Sequence, residues 1–161
     1  MDARQKITPY LWFNDNAEEA VNFYLSIFAD SKILNLSRYP DEVPDLGGKA
    51  MNIAFQLEGQ KFIALNGGPM FQFTEAISLF VGCETQEEVD ELWAKLTADG
   101  GQEQPCAWLK DKFGLSWQIV PRQLGELLSD PDPEKSQRVM QAMLQMSKID
   151  IATLQAAYDG V

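Results

Sequence analysis

Apolar positions in this chain keep two spacings, every second residue and every third or fourth, and the sequence runs through the pair twice. Residues 7–13 (ITPYLWF) are an apolar, aromatic-rich run of strand length, with Pro9 pointing to a sheet edge or a bulge. Asn16 then offers an N-cap with Glu19 in capping-box position, and Ala17, Ala20, Val21, Tyr24, Ile27 and Phe28 fall on one helical face. Residues 32–39 alternate as a strand does, and residues 40–48 make a loop. Residues 50–57 and 61–66 read as a hairpin around Glu58-Gly59-Gln60, which Gly67-Gly68-Pro69 ends.

The second pass opens with a strand at 76–82 (AISLFVG). Thr85 caps a helix with Glu88 in capping-box position; Val89, Leu92, Trp93 and Leu96 are its buried stripe, and Gly100-Gly101 ends it. Residues 104–110 suit a strand. Asp111 to Gly114 suit a turn, and a last strand runs from Leu115 until Pro121 stops it. Along that strand Leu115, Trp117 and Ile119 take one face while Ser116, Gln118 and Val120 take the other. Gln118 is thus an amide in a run suited to burial, so it either braces a loop or meets a ligand.

A shift of about 69 residues lays Asn16 on Thr85, Glu18-Glu19 on Glu87-Glu88, and Ala20, Phe23, Tyr24 and Ile27 on Val89, Leu92, Trp93 and Leu96. The chain therefore reads as two βαβββ modules, 5–68 and 74–122, forming a single domain over 5–122, with a helical extension over 123–161. In the extension Asp132-Pro133-Glu134 starts a helix. Its apolar stripe is Val139, Met140, Met143, Leu144 and Met146, and Asp150 caps a last helix reaching Tyr158. Such a stripe docks on its parent sheet or on a second subunit.

Composition narrows the chemistry. The 161 residues carry a net charge of −11, which repels nucleic acid and anionic membrane. There is no histidine, so the usual general base near neutral pH and the commonest transition-metal ligand are missing. The two cysteines, Cys83 and Cys106, fit no zinc or redox spacing and are read as reduced thiols of a cytoplasmic protein. No run of about 18 apolar residues occurs, and residues 1–7 are too short and polar for a signal peptide. None of the Gly-Gly pairs at 47–48, 67–68 and 100–101 opens a helix in a βαβ unit, so no dinucleotide-type loop is expected.

Several stretches together resemble the vicinal-oxygen-chelate superfamily of glyoxalase I, bleomycin-resistance proteins and extradiol dioxygenases. They resemble its PhnB-like branch most, often labelled 3-demethylubiquinone-9 3-methyltransferase. They are residues 7–13 with Asn16-Ala17-Glu18-Glu19-Ala20 and Phe23-Tyr24, Asn66-Gly67-Gly68-Pro69 with Phe73-Thr74-Glu75-Ala76-Ile77-Ser78, Asp111-Lys112-Phe113-Gly114 with Trp117-Gln118-Ile119-Val120-Pro121, and Val139-Met140-Gln141-Ala142-Met143 with Lys148-Ile149-Asp150. The resemblance implies an α+β glyoxalase fold in which the tandem modules form one curved eight-stranded sheet around a pocket, and subunits that pair. It also places the family's metal ligands on the first and fourth strands of each module, here near Pro9, Ser78, Ile63 and Gln118. Of these Gln118 alone is a credible donor, so neither a metal nor another cofactor is expected.

The expected function is small-molecule binding by a homodimer. Phe55, Phe71, Phe73, Trp108 and Trp117 supply apolar walls, Tyr10 and Trp12 lie beside the first ligand position, and Asn66, Ser78 and Gln118 are polar anchors. One alternative is an enzyme in which Ser78 or Tyr10 polarises a carbonyl and Glu75, its pKa raised, acts as base. Another is a dimeric interaction module built on the Met-bearing tail.

Overall fold

The computed structural model describes residues 5–161; part of the 1–7 stretch weighed above as a signal peptide lies outside them. The chain forms two compact units, one ending at Phe73 and one beginning at Thr74.

The first unit is β1 (Tyr10–Phe13), α1 (Ala17–Ile27), β2 (Ser31–Arg38), β3 (Ala50–Leu57) and β4 (Gln60–Asn66). Its sheet runs β1-β4-β3-β2, with β1 parallel to β4 and the other pairs antiparallel. Pro9 lies just outside β1, an edge strand, as a residue without an N–H requires. The β3–β4 hairpin closes on two residues, Glu58 and Gly59, both with positive φ (45° and 81°), the type I′ geometry that matches strand twist. Ala17, Ala20, Val21 and Tyr24 of α1 are buried, as are Leu11, Phe13, Ile53, Phe55, Phe62 and Ala64 of the strands.

The capping box expected at Asn16 does not form. Its side chain makes no cap bond; instead Asn66, at the end of β4, accepts from Ala17 N at 2.8 Å. The orphan donor of the helix is thus satisfied from the sheet, which fixes helix and strand together.

The second unit repeats that order: β5 (Ser78–Cys83), α2 (Gln86–Thr97), a single 3₁₀ turn, β6 (Gln102–Glu103), β7 (Trp108–Lys110) and β8 (Ser116–Pro121), with sheet order β5-β8-β7-β6. Here the expected cap forms, with Thr85 Oγ1 accepting from Glu88 N at 3.2 Å. The Glu88 carboxylate accepts from Glu84 N at 2.7 Å, one residue before the cap, rather than from the cap's own N–H. Val89, Leu92, Trp93 and Leu96 are buried, as are Leu109, Leu115, Trp117 and Ile119. The strand expected over 104–110 is split, because Cys106 and Ala107 both take left-handed φ (60° and 73°).

Three helices follow: α3 (Arg122–Leu128), α4 (Pro133–Leu144) and α5 (Ile151–Asp159). Val139, Ile149 and Leu154 form a second core cluster with Ala107 and Leu124, and Met143, Met146 and Tyr158 pack on it. The extension therefore docks within its own unit. Met140 and Leu144, assigned to its stripe from the sequence, are exposed instead. No helix among the described residues is long and apolar enough to cross a membrane.

Both cysteines are free. Burial, with Glu88 and Glu84 adding to it, pushes the Cys83 thiol up to about 12, so at pH 8 its thiolate fraction is about one in ten thousand. Labelling native protein with a thiol-specific disulfide reagent at pH 8 is expected to modify at most one sulfur per chain, and both after unfolding; rapid modification of both in the native state would contradict the buried position.

Candidate functional site

In the second unit the strand register sorts side chains into rows. Leu79, Trp117 and Leu109 are aligned neighbours on the side that carries α2. On the other side lie Phe80–Gln118–Trp108 and, one step along, Ser78–Ser116–Lys110. Asp111 sets this phase. Its buried carboxylate accepts from Phe113 N (2.8 Å), Leu115 N (3.1 Å) and Trp117 Nε1 (2.9 Å), tying the turn to the indole of β8. With Trp117 held under α2, alternation turns Ser116 and Gln118 to the opposite face, which is the helix-free face along these two rows; Val120, farther along it, packs against the helices of the extension.

On that face Gln118 Nε2 donates to Ser78 Oγ at 2.9 Å. Ser116 is fully buried, and its Oγ has no hydrogen-bond partner. Lys110 is paired with Glu75 at 2.5 Å, and Gln104 donates to the same carboxylate. The bond from Lys110, then Glu75's own backbone and Gln104, hold the Glu75 carboxyl below its ordinary value. The base suggested by the sequence needs the opposite shift, so Glu75 is here the counter-ion of Lys110. Phe80 is 63% exposed and Trp108 half-buried. Sequence reasoning selected Ser78, Trp108 and Gln118; Phe80, Ser116 and Lys110 join them through strand pairing, which single-strand periodicity does not reveal.

The other expected site residues divide. Tyr10 and Trp12 lie on the face of the first sheet turned away from α1, where Tyr10 Oη donates to Asn52 Oδ1 at 2.6 Å and the Trp12 indole N–H to Gly68 O at 2.9 Å. Phe71 packs edge-on against Trp12, with ring centroids 5.0 Å apart. Phe73 packs instead against Phe13, a helix-side residue. Phe55 and Trp117 are core residues beneath their helices, so alternation turns them away from the helix-free faces where a pocket wall was sought. Asn66 spends both ends of its amide on backbone, accepting from Ala17 N and donating to Ala50 O at 2.9 Å. A groove of about 310 Å³ beside the start of α1 is lined by Asp15, Glu18, Glu19, Lys49 and Asn66 among others. Of its charges, Lys49 is engaged with Asp15 and Glu18 with Arg38.

The register corrects one carry-over. Ile63 pairs with Tyr10 and Gln118 with Phe80, so the first strands correspond as Tyr10 to Phe80, not Pro9 to Ser78. One extra residue separates β1 from the cap of α1, so a shift read from the helices is off by one on the strands, and one residue reverses the face. The four positions then hold Tyr10, Ile63, Phe80 and Gln118. That set offers one amide and one phenol, and the phenol already donates to Asn52. It does not fit a divalent cation, which needs three or more N, O or S donors. Among the described residues no group of three or more His, Cys, Asp or Glu is placed to hold one.

Comparison with known proteins identifies the family. A sequence profile described as 3-demethylubiquinone-9 3-methyltransferase matches residues 5–120. The chain belongs to that family. The PhnB protein of Bacillus cereus is 40% identical over 73% of this chain and 99% of its own, with a TM-score of 0.68. A Pseudomonas aeruginosa protein (21% identity, 73% and 97% covered, TM-score 0.59) shares the fold. So does the fosfomycin resistance protein FosX from Listeria monocytogenes, solved with Mn(II) and sulfate (16% identity, 73% and 90% covered, TM-score 0.53). No curated protein matches. The fold is that of the glyoxalase and bleomycin-resistance proteins, as the tandem βαβββ pattern implied, and the 3-demethylubiquinone-9 3-methyltransferase family match takes in both modules.

Proposed function

We propose that the chain is a small-molecule-binding member of this family, acting as a cytoplasmic homodimer without a catalytic metal, and that its ligand sits on the helix-free face of β5, β8 and β7. The observation that carries this is the Gln118–Ser78 pair set between Phe80 and Trp108 in adjoining rows of one sheet. A large exposed aromatic beside convergent polar groups is the composition of a ligand site. Two free thiols fit a reducing compartment.

The family's description names a methyl transfer. None of the Gly-Gly pairs of this chain opens a helix, since Gly47-Gly48 and Gly67-Gly68 lie in loops and Gly100-Gly101 ends the turn after α2. Binding is therefore the function the residues support best.

A thermal-shift screen of small neutral and charged compounds tests it on the full chain and on Gln118→Leu and Phe80→Ala. A specific ligand at about a hundred times its Kd is expected to add about 2.7 kcal/mol, several degrees in Tm. The shift should fall by more than half in either variant. A ligand whose shift is the same in all three proteins binds elsewhere and overturns the assignment of the face.

A further inference from the structure

The charge and hydrogen-bonding state of the helix-free face narrow the ligand further, given the binding reading above. We infer that the face takes an uncharged, planar aromatic molecule bearing a carbonyl oxygen, its ring against Phe80 and Trp108 and its oxygen on the hydroxyls of Ser78 and Ser116.

Ser116 carries most of the argument. Its Oγ is buried and unpartnered, and a buried hydroxyl is normally satisfied. Ser78 is its neighbour in register on β5, about 4.8 Å away by strand spacing. Ser78 Oγ already accepts from Gln118 Nε2, so its own proton is left to donate. Two hydroxyl donors thus stand side by side, and a carbonyl oxygen, with two lone pairs, accepts both.

Charge excludes the ionic relatives of such a molecule. The row's one cation, Lys110, already holds Glu75, and that pair stays ionised because the Glu75 carboxyl lies below its ordinary value of 4.5. An anion would have to displace Glu75 from Lys110 while approaching a chain of net charge −11. A cation would meet an acid that is already neutralised. An uncharged group desolvates at far lower cost than either ion. The aromatic part follows from Phe80, exposed in the row where Gln118 separates it from Trp108. Its neighbours on that face of β5 are small, Ser78 on one side and Gly82 on the other, where a Cβ would come no closer than 4.0 Å to the ring.

Calorimetric titration with 2-naphthamide, 2-naphthoate and 2-naphthylmethylammonium, which share a ring system and differ in charge, tests the inference on the full chain, Ser116→Ala, Ser78→Ala and Phe80→Ala. The amide is expected to bind at least tenfold tighter than either ion, and each serine variant to weaken it three- to tenfold. Ser116→Ala should meanwhile melt no lower than the parent, because it removes an unsatisfied hydroxyl; a purely structural serine would lower the melting temperature and leave the amide's affinity unchanged. Equal or tighter binding of an ion, still lost in Phe80→Ala, overturns the ligand class and leaves the binding face standing. Amide binding indifferent to all three substitutions, or no binding of any probe, overturns the face as well.

Discussion

Cut after Leu128, the chain is expected to lose about 4 kcal/mol or more of stability, lowering Tm by roughly 8–16 °C. The extension holds the second unit at a strained point. Cys106 and Ala107 are non-glycine residues in left-handed conformation, each costing about 1–2 kcal/mol. Their N–H groups donate to Met146 O (2.8 Å) and Ser147 O (2.9 Å). Removal of the extension leaves both donors unsatisfied and uncovers Ala107 and Leu124, now packed beneath Val139, Ile149 and Leu154. It also frees Gln86, whose side chain brackets Ile149 O and Ile151 N. Melts of the full and shortened chains by circular dichroism, with light scattering on the same samples, check this. A shortened chain melting within about 3 °C of the parent would show the extension to be an accessory. Dissociation of a dimer at unchanged Tm would instead place the Met-bearing stripe between two copies, against the packing seen here.

What could be read beforehand was what depends on neighbours in sequence. The stripes Ala17–Ala20–Val21–Tyr24 and Val89–Leu92–Trp93–Leu96 bury as helical spacing demands, and Gln118 lies on the face that alternation assigned it. What escaped depends on partners far along the chain. Asn16 looked like a cap, yet Asn66 does the capping, because β4 ends beside the first turn of α1. Helix α3 packs Leu124, Leu127 and Leu128 on the extension's cluster, but at seven residues it carries that spacing only once, too short a stretch for periodicity to mark it. The kink at Cys106–Ala107 has no local signature, since neither residue favours positive φ and the extension stabilises it.

The candidate site divides in the same way. Gln118 and Ser78 were legible as polar groups in apolar strands. Phe80, Ser116 and Lys110 gain meaning only when β5, β8 and β7 lie side by side in register. Aromatic content alone selected Phe55 and Trp117, and parity within their strands places both in the core. For Trp117 that parity is maintained by a residue the sequence presented as an ordinary turn former.

That residue, Asp111, is expected to be the most sensitive single position. It is 2% exposed and its carboxylate receives three N–H donors. Replacement by alanine strands those donors in the core and should cost about 3–5 kcal/mol, the range for breaking a buried charged network. Asp111→Asn keeps the shape and can still accept from the turn, but one end of its amide becomes a donor; about 2–3 kcal/mol is expected. Urea unfolding gives both values, and near-ultraviolet circular dichroism should report a freed Trp117 ring. The indole bond can be isolated by a double-mutant cycle with Trp117→Phe. Once Asp111 is alanine the indole has lost its acceptor, so the second substitution should cost about 1–2 kcal/mol less than it does alone. Additive costs, or an alanine variant within about 1 kcal/mol of the parent, would mean that β8 keeps its phase without Asp111. The placement of Gln118 and Ser116 on the binding face would then rest on strand pairing alone.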